Sequence, residues 1–228
     1  MRLRLSLLLS CAAASQLHAA AEQGDTAALA AALAAGADPN EADEDSYTPL
    51  HLSAGMGAVG ALSVLLADAR TDVDAVDDVG ESPLHLAAAA GRTEAVRTLL
   101  AHGVHVDAPS REGYTALHMA AQHGNLAAAQ LLLGAGFSPR AETYEGATPL
   151  HWAASASGSE RTKHAEVFML LLSKGGVLNG KDDSGATPLS LVSERGCPQF
   201  KEQLQRWVAA ERARRAEAEA APSTREEL

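Results

Sequence analysis

The dipeptide Leu-His recurs along the chain at a nearly constant interval. Its five copies begin at Leu17, Leu50, Leu84, Leu117 and Leu150, so the spacings are 33, 34, 33 and 33 residues. A period of this length is typical of chains built from stacked units, each of which buries its apolar face only against its neighbours. The period therefore predicts an elongated repeat protein rather than a globule formed around one central core.

Each unit carries further landmarks at fixed distances from its leucine. A glycine seven residues later is typical of a helix end, and paired leucines then follow within a second apolar helix. Thr-Pro or Ser-Pro precedes four of the units, a pair that favours a helix start because the hydroxyl caps the helix and proline fits its first turn. The glycines are Gly24, Gly57, Gly91 and Gly124, with Gly158 one place late and Gly196 in the last unit. The pattern predicts two short helices in each unit.

Composition supports thin layers of small side chains. The chain is 46% hydrophobic but only 4% aromatic, and aromatic side chains bury the most area each. No apolar run reaches the roughly 20 residues that a membrane-spanning helix needs. Two cysteines, Cys11 and Cys197, are too few for a disulfide scaffold or a cysteine-rich zinc module.

The repeated pattern Gly-x-Thr-Pro-Leu-His-x-Ala-Ala, followed by Gly, Leu-Leu and Gly-Ala-Asp, resembles the ankyrin repeat family over about residues 13 to 210. The resemblance implies an all-α solenoid of antiparallel helix pairs with hairpin or loop fingers. It also implies a module that binds proteins on its concave face, with no catalytic residue, cofactor, metal or small-molecule substrate. The repeated histidines would make structural hydrogen bonds between neighbouring repeats.

The repeats differ in places. The fifth unit has about six extra residues around Ser155 to Lys163, between its two helices. We expect the polar run Ser-Ala-Ser-Gly-Ser at 155–159 to form an exposed loop, either a tolerated insertion or part of a functional face. The second unit has one extra residue near Arg70. The last unit reads as a terminal cap with apolar residues Phe200, Leu204, Trp207 and Val208. The expected boundaries are a leader at 1–14, repeats at 13–45, 46–79, 80–112, 113–145 and 146–184, a cap at 185–210 and a charged tail at 211–228.

The resemblance also implies which positions face the groove. They lie six, five and three residues before each repeat leucine and five and six residues after it. All three tyrosines of the chain are in this set, and tyrosine is a preferred interface anchor, although finger aromatics also pack on neighbouring fingers. We favour core over groove for Trp152. The expected partner-binding residues are Glu44, Asp45, Tyr47, Met56, Asp78, Val79, Glu81, Arg111, Glu112, Tyr114, Gln122, His123, Tyr144 and Glu145.

Negative charge is concentrated in the first third of the chain. Between Leu5 and Glu81 there are thirteen acidic residues and one basic residue, Arg70, and the whole chain has a net charge of −11. This bias disfavours nucleic acid, because phosphate binding needs clustered Lys and Arg. It is explained either by a solubilising surface or by an acidic half of the groove that selects a protein with a basic surface or segment.

Catalytic and metal-site motifs find no support. The spacing Gly-x4-Gly-Lys occurs at Gly175 to Lys181, but Asp182 follows instead of Ser or Thr. His102 and His105 share a turn but lack the carboxylate or cysteine ligands that would complete a metal site. The sequence therefore predicts a non-catalytic scaffold, adaptor or inhibitor. The alternative is a structural or regulatory subunit that joins an enzyme through the fifth-repeat loop and the C-terminal helix.

The two ends carry possible address signals. Met1 to Ala14 has basic residues followed by an apolar run, which suits either a secretory signal or a helical lead-in packed on the first repeat, with lipidation of Cys11 as a third reading. Arg225 to Leu228 resembles an endoplasmic reticulum retrieval signal. The compartment stays open between the cytoplasm or nucleus and the secretory pathway. We expect the last helix to extend over 208 to 221 and to end at Pro222.

Overall fold

A computed structural model describes residues 16–104, 109–155, 161–195 and 198–220 of the chain. Within these ranges the chain forms twelve helices and no strand. The first, α1, covers 16–23. It is followed by α2 (Thr26–Ala34), α3 (Pro49–Met56), α4 (Val59–Ala67), α5 (Pro83–Ala89), α6 (Thr93–Ala101), α7 (Ala116–Gln122), α8 (Leu126–Gly134), α9 (Pro149–Ser155), α10 (Arg161–Ser173), α11 (Pro188–Arg195) and α12 (Pro198–Ala220).

The helices stack in two layers. The inner helices α3, α5, α7, α9 and α11 each contact the next inner helix, and the outer helices from α2 to α10 do the same. The repeat leucines lie between the layers, and Leu50, Leu117 and Leu150 are fully buried. Small residues such as Ala87 and Ala120 are also buried there. The predicted all-α solenoid is therefore confirmed, with its core spread along the stack.

Local chemistry fixes both ends of the inner helices. Before α3, Thr48 caps the helix and Pro49 occupies its first turn. The His51 Nδ1 atom accepts a hydrogen bond from the backbone N–H of Thr48, at 3.2 Å. The helix ends at Gly57, whose φ of 74° lies in the left-handed region that favours glycine. The predicted start and stop signals are thus confirmed, and the histidine closes the capping box at its third position.

Five short turns, the fingers, precede the inner helices from α3 to α11. In finger 2 the Asp77 carboxylate accepts hydrogen bonds from the backbone N–H groups of Val79 and Glu81, at 2.9 and 2.8 Å. Fingers 2 and 3 are joined by a hydrogen bond from Arg111 N–H to the Val79 carbonyl, at 3.0 Å. We number them finger 1 (43–47), finger 2 (77–81), finger 3 (110–114), finger 4 (143–147) and finger 5 (182–186). The fingers form a rim above the inner helices.

The extra residue of the second unit lies after α4. Arg70 pairs with Asp68 at 2.6 Å and donates to the Ala37 carbonyl of the first unit at 3.2 Å. In return, the Asn40 side-chain amide donates to the Arg70 carbonyl at 2.7 Å. The insertion therefore joins two repeats instead of forming a free loop.

The end of the fifth-unit insertion is helical. The extra residues around Ser155 to Lys163 were expected between two helices, and α9 ends at Ser155 while α10 begins at Arg161. Its residues 161–163 form the first turn of a helix of 13 residues, against nine in α8. No Gly or Pro interrupts this turn, and the His164 ring that follows it donates to the Gln122 carbonyl at 2.8 Å, which holds the helix start against the fourth repeat. The remainder of the insertion, 156–160, lies outside the described residues.

The C-terminal unit has the form of a cap. Phe200 and Leu204 of α12 are buried, and the Phe200 ring meets that of Phe168 at 4.9 Å. Trp207 and Val208 pack on the same core, and α12 continues to Ala220 as predicted. The candidate leader at 1–14 and the tetrapeptide at 225–228 lie outside the described residues. In the described ranges, no helix combines the length and hydropathy that crossing a bilayer requires.

Candidate protein-binding groove

The repeat histidines hold each finger in place. In every unit from the first to the fifth, the imidazole Nε2–H donates to a backbone carbonyl 29 or 30 residues further along the chain. The distances are 3.0 Å from His18 to Tyr47, 3.0 Å from His51 to Glu81, 2.9 Å from His85 to Tyr114, 3.1 Å from His118 to Ala147 and 3.1 Å from His151 to Gly180. The structural role expected for these residues is confirmed. The first four imidazoles thus each fix one finger relative to the preceding inner helix, whereas His151 bonds to Gly180, two residues before finger 5.

A second set of cross-repeat bonds caps the ends of the inner helices. Arg92 donates to the Gly55 carbonyl at 3.1 Å, and the Asn125 amide donates to the Ala89 carbonyl at 2.8 Å. His164 donates to the Gln122 carbonyl in the same way. These carbonyls at the helix ends therefore already have hydrogen-bond partners within the chain. These bonds were not predicted from the sequence. Their donors are three different residue types, so no repeated residue marks the position.

The predicted site residues all retain solvent access. None of the fourteen is buried, and eleven are exposed. The half-buried ones are Tyr47, Glu81 and Tyr114. The structure brings Tyr47, Met56 and His123 together around one depression, although His123 lies two repeats beyond the other two residues.

This depression lies mainly along α3 and α5 and reaches His123 at the end of α7. It has a volume of about 440 Å³, and its apolar lining comes from Leu52, Met56, Leu86, Ala89 and Ala90. Tyr47, Glu22 and His123 also line it. We call it the groove depression. Its predominantly apolar lining can hold a side chain from a partner.

Leu52 and Leu86 are site residues that the sequence analysis did not name. Both stand two residues after a repeat leucine, and both remain half-buried at the groove surface. Trp152 occupies the equivalent place in the fifth unit and is also half-buried. In the sequence, an apolar residue recurs at this position in successive units. The sequence alone does not show whether such residues form the floor of the groove or the core.

The three tyrosines have different environments. Tyr144 is 71% exposed on finger 4, whereas Tyr47 lies 5.9 Å from the His51 ring. The Tyr114 ring packs edge-on against Trp152, with 4.9 Å between ring centres and an interplanar angle of 74°. Packing within the chain therefore accounts for part of the surface of Tyr47 and Tyr114. Trp152 packs against the core, as favoured, and still keeps part of its surface in solvent.

Carboxylates set the electrostatics above this floor. Burial raises the pKa of Glu81, and the negative charges of Asp77 and Glu112 raise it further. A hydrogen bond to Glu112, together with burial and the charges of Glu112, Glu145 and Glu81, raises the pKa of Tyr114 to about 12. Negative charge is therefore concentrated on three consecutive fingers, 2, 3 and 4.

Metal and phosphate chemistry receive no positive support. In the parts of the chain that the structure describes, no three or more His, Cys, Asp or Glu side chains are grouped to hold a metal ion. The Gly175 to Lys181 segment follows α10, and the next helix begins only at Pro188. It therefore lacks the helix N-terminus that a phosphate-binding loop requires.

These features define a class of protein, a helical-repeat solenoid that offers a concave surface between fingers and inner helices. The family model for ankyrin repeats (3 copies) matches residues 17–110, 58–143 and 102–175, which together cover more than half of the chain. The chain belongs to the ankyrin repeat family. Members of this family are generally non-catalytic modules for protein–protein interaction. A search of curated proteins finds no match.

Proposed function

We propose that the protein binds a basic segment of a partner protein in its concave groove, as a scaffold, adaptor or inhibitor without catalytic activity. The observation that carries this proposal is the groove depression, an apolar hollow beneath acidic fingers. An apolar side chain of the partner fills the hollow, while neighbouring Lys or Arg side chains meet the carboxylates. No cofactor, small-molecule substrate or nucleic acid takes part in this recognition.

The carboxylates favour a cationic partner. Glu44, Asp45 and Asp78 are exposed on fingers 1 and 2. The raised pKa of Glu81 reflects burial and repulsion from its acidic neighbours Asp77 and Glu112. A cation placed among these groups relieves the repulsion and steers the encounter, whereas an acidic partner increases it.

Exposed apolar side chains supply contact area. Met56 is 51% exposed, Val79 is 55% exposed and Tyr144 is 71% exposed. Burial of such groups against a partner stabilises a complex by about 25 cal/mol for each Å² of apolar surface removed from water. Large exposed side chains on fingers 2 and 4 therefore extend the binding surface beyond the groove depression.

The first test is a selection of random 14-residue peptides on the full chain. We expect enriched peptides to contain Lys or Arg together with an aliphatic or aromatic residue. Replacing Glu44→Lys and Asp45→Lys together should weaken an enriched peptide at least about tenfold at low salt, because like charges then face each other.

A matched double variant controls for net charge. Glu94 and Glu166 are exposed on the outer helices α6 and α10, so Glu94→Lys with Glu166→Lys changes the net charge equally but away from the groove. It should leave affinity nearly unchanged. Enrichment of neutral or acidic peptides, or equal losses in both double variants, contradicts the proposal.

The second candidate function is assembly with an enzyme through the C-terminal unit. A cleft of about 420 Å³ between α11 and α12 favours it, with Leu189, Val192 and Leu204 among its lining residues. Leu189 is 38% exposed there. Deleting 156 to 161 or replacing Leu189→Glu should abolish assembly on this hypothesis, while peptide binding in the groove persists.

A further inference from the structure

Halfway along the groove, two aromatic rings pack against each other. Tyr114 belongs to finger 3, Trp152 belongs to α9, and their ring centres are 4.9 Å apart in an edge-to-face arrangement. Both side chains are half-buried, so the pair keeps aromatic surface towards solvent. Among the residues that the structure describes, the ring contact of Tyr47 is with His51, whose centre lies 5.9 Å away. The pair therefore differs from the other finger aromatics by including an indole, the ring that attracts cations best.

Carboxylates from three fingers surround this pair. Interaction with Glu112, burial and the charges of Glu145 and Glu81 all raise the pKa of the Tyr114 phenol. Arg111 is the one basic residue among 77–81, 110–114 and 143–147, all of which the structure describes, and its side chain is exposed. Negative charge thus exceeds positive charge around the two rings.

We propose that the Tyr114–Trp152 pair, with Glu112 and Glu145, seats an arginine side chain of the partner segment. This inference rests on the proposed function and adds the chemistry of one recognised residue. A guanidinium group is planar, so it lies against an aromatic face and still donates hydrogen bonds to carboxylates at its edge. An ammonium group has a compact, strongly hydrated charge and matches the pair less well.

The geometry also gives a spacing within the partner. The groove depression is centred between α3 and α5, whereas the arginine seat lies between α7 and α9, two inner-helix spacings further along. Packed helices lie about 8–10 Å apart, so the two sites are separated by about 16–20 Å. An extended peptide advances about 3.3 Å per residue, which places the arginine about five or six residues from the apolar anchor.

The test uses two fluorescein-labelled peptides of 14 residues in an alternating Lys-Ser background. Each contains one leucine, and six residues away the first has arginine and the second has citrulline, a neutral residue of nearly the same shape. Binding to the full chain is followed by fluorescence anisotropy. We expect the arginine peptide to bind at least about tenfold more tightly, as for one desolvated charged contact.

Two variants test whether the aromatic pair and its carboxylates cause the difference in affinity between the two peptides. Trp152→Leu keeps an apolar side chain on α9, and Glu112→Gln with Glu145→Gln keeps side-chain shape; each should reduce the preference for arginine to less than about twofold. The matched control, Glu94→Gln with Glu166→Gln on the outer helices, should retain it. Circular dichroism and urea unfolding establish that each variant is folded.

A second readout does not depend on affinity. Trp207→Phe leaves Trp152 as the one tryptophan, so its emission reports contact at the seat directly. The arginine peptide should change this emission and the citrulline peptide should not. Equal affinities for the two peptides, including no binding of either, overturn the arginine seat, as does a preference that survives Trp152→Leu.

The outcomes separate the two proposals. If Glu44→Lys with Asp45→Lys weakens both peptides while arginine and citrulline bind alike, the seat is wrong and groove binding stands. If that charge reversal affects neither peptide, the groove proposal fails as well.

Discussion

The buried histidines are the residues on which the alignment of neighbouring repeats depends. Each of the repeat histidines from His51 to His151 donates from Nε2 to a carbonyl 29 or 30 residues later and accepts at Nδ1 from the backbone N–H of its own helix cap. Both ring nitrogens are satisfied only in the neutral form. Burial lowers the pKa of His51 and His85 and lowers that of His118 to about 4, partly offset by the hydrogen bond to the carbonyl of the next unit.

These pKa values predict acid sensitivity. The unfolded chain binds protons on its histidines near pH 6.5, whereas the folded chain resists protonation of His118 down to about pH 4. Stability should therefore be full above pH 6.5 and should fall as the pH decreases towards 4, with a contribution of about 3 kcal/mol from His118 alone.

Urea unfolding at a series of pH values measures this effect. His118→Gln removes the titrating group and keeps a donor, so the variant should be less stable at pH 7 and should lose less stability on acidification. Equal pH profiles for the two proteins contradict the assignment.

The sequence predicts some features of individual residues and not others. The histidine bonds and the left-handed glycines follow from a motif that repeats in phase. Ser46 does not follow from it, since it has a φ of 64° where the other four fingers have glycine, and its hydroxyl donates to Asp78 at 2.7 Å. Such a replacement is visible in the sequence, but its backbone conformation is not.

At the scale of elements, the fingers depend on close backbone contact. Gly113 has a φ of 85°, and a Cβ atom there would lie 2.8 Å from the Tyr144 nitrogen. That nitrogen donates to the Glu112 carbonyl at 3.1 Å. A side chain at this position therefore forces fingers 3 and 4 apart.

This close contact predicts that replacing glycine by alanine lowers the free energy of unfolding more at Gly113 than at Gly185. Gly185→Ala meets nothing within 4 Å and has a φ of 82°, so it should cost about 1–2 kcal/mol of unfolding free energy from backbone strain alone. Gly113→Ala should cost more, about 3 kcal/mol, because the backbone of finger 4 must move. Urea unfolding compares the two variants, and equal losses contradict the account.

The helices were predictable because their signals are local. Thr48, Pro49 and Gly57 specify one inner helix within ten residues. The start of α10 at Arg161 was not predicted, because the packing of His164 on the fourth repeat depends on the stacking of neighbouring units. The groove floor was missed for the same reason, since exposure of Leu52 and Leu86 depends on the stacking of neighbouring units.

At the scale of the whole molecule, stability is distributed along the stack. Each unit contacts mainly its neighbours, so the terminal units decide whether the ends stay folded. At the C-terminal end, Phe200 and Leu204 of α12 close the core, and Phe200 meets Phe168 of the fifth repeat. The acidic first half of the groove lies in the repeats furthest from this cap.

This arrangement predicts a local response to loss of the cap. Phe200→Ala should cost about 3–5 kcal/mol, as for other buried phenylalanines. Hydrogen exchange should become faster in α10, α11 and α12, while α3 and α5 keep their protection. A uniform increase along the chain would show that the stack unfolds as one unit.

We expect a bound peptide to contact the concave groove, and nuclear magnetic resonance can locate that contact. The full chain, labelled with nitrogen-15, is titrated with a peptide enriched in the selection, and amide chemical shifts are mapped onto the fold. The account predicts shifts in fingers 1 to 4, at Leu52 and Leu86, and at the indole of Trp152. Shifts confined to α11 and α12 would contradict it and would identify the C-terminal unit as the binding surface.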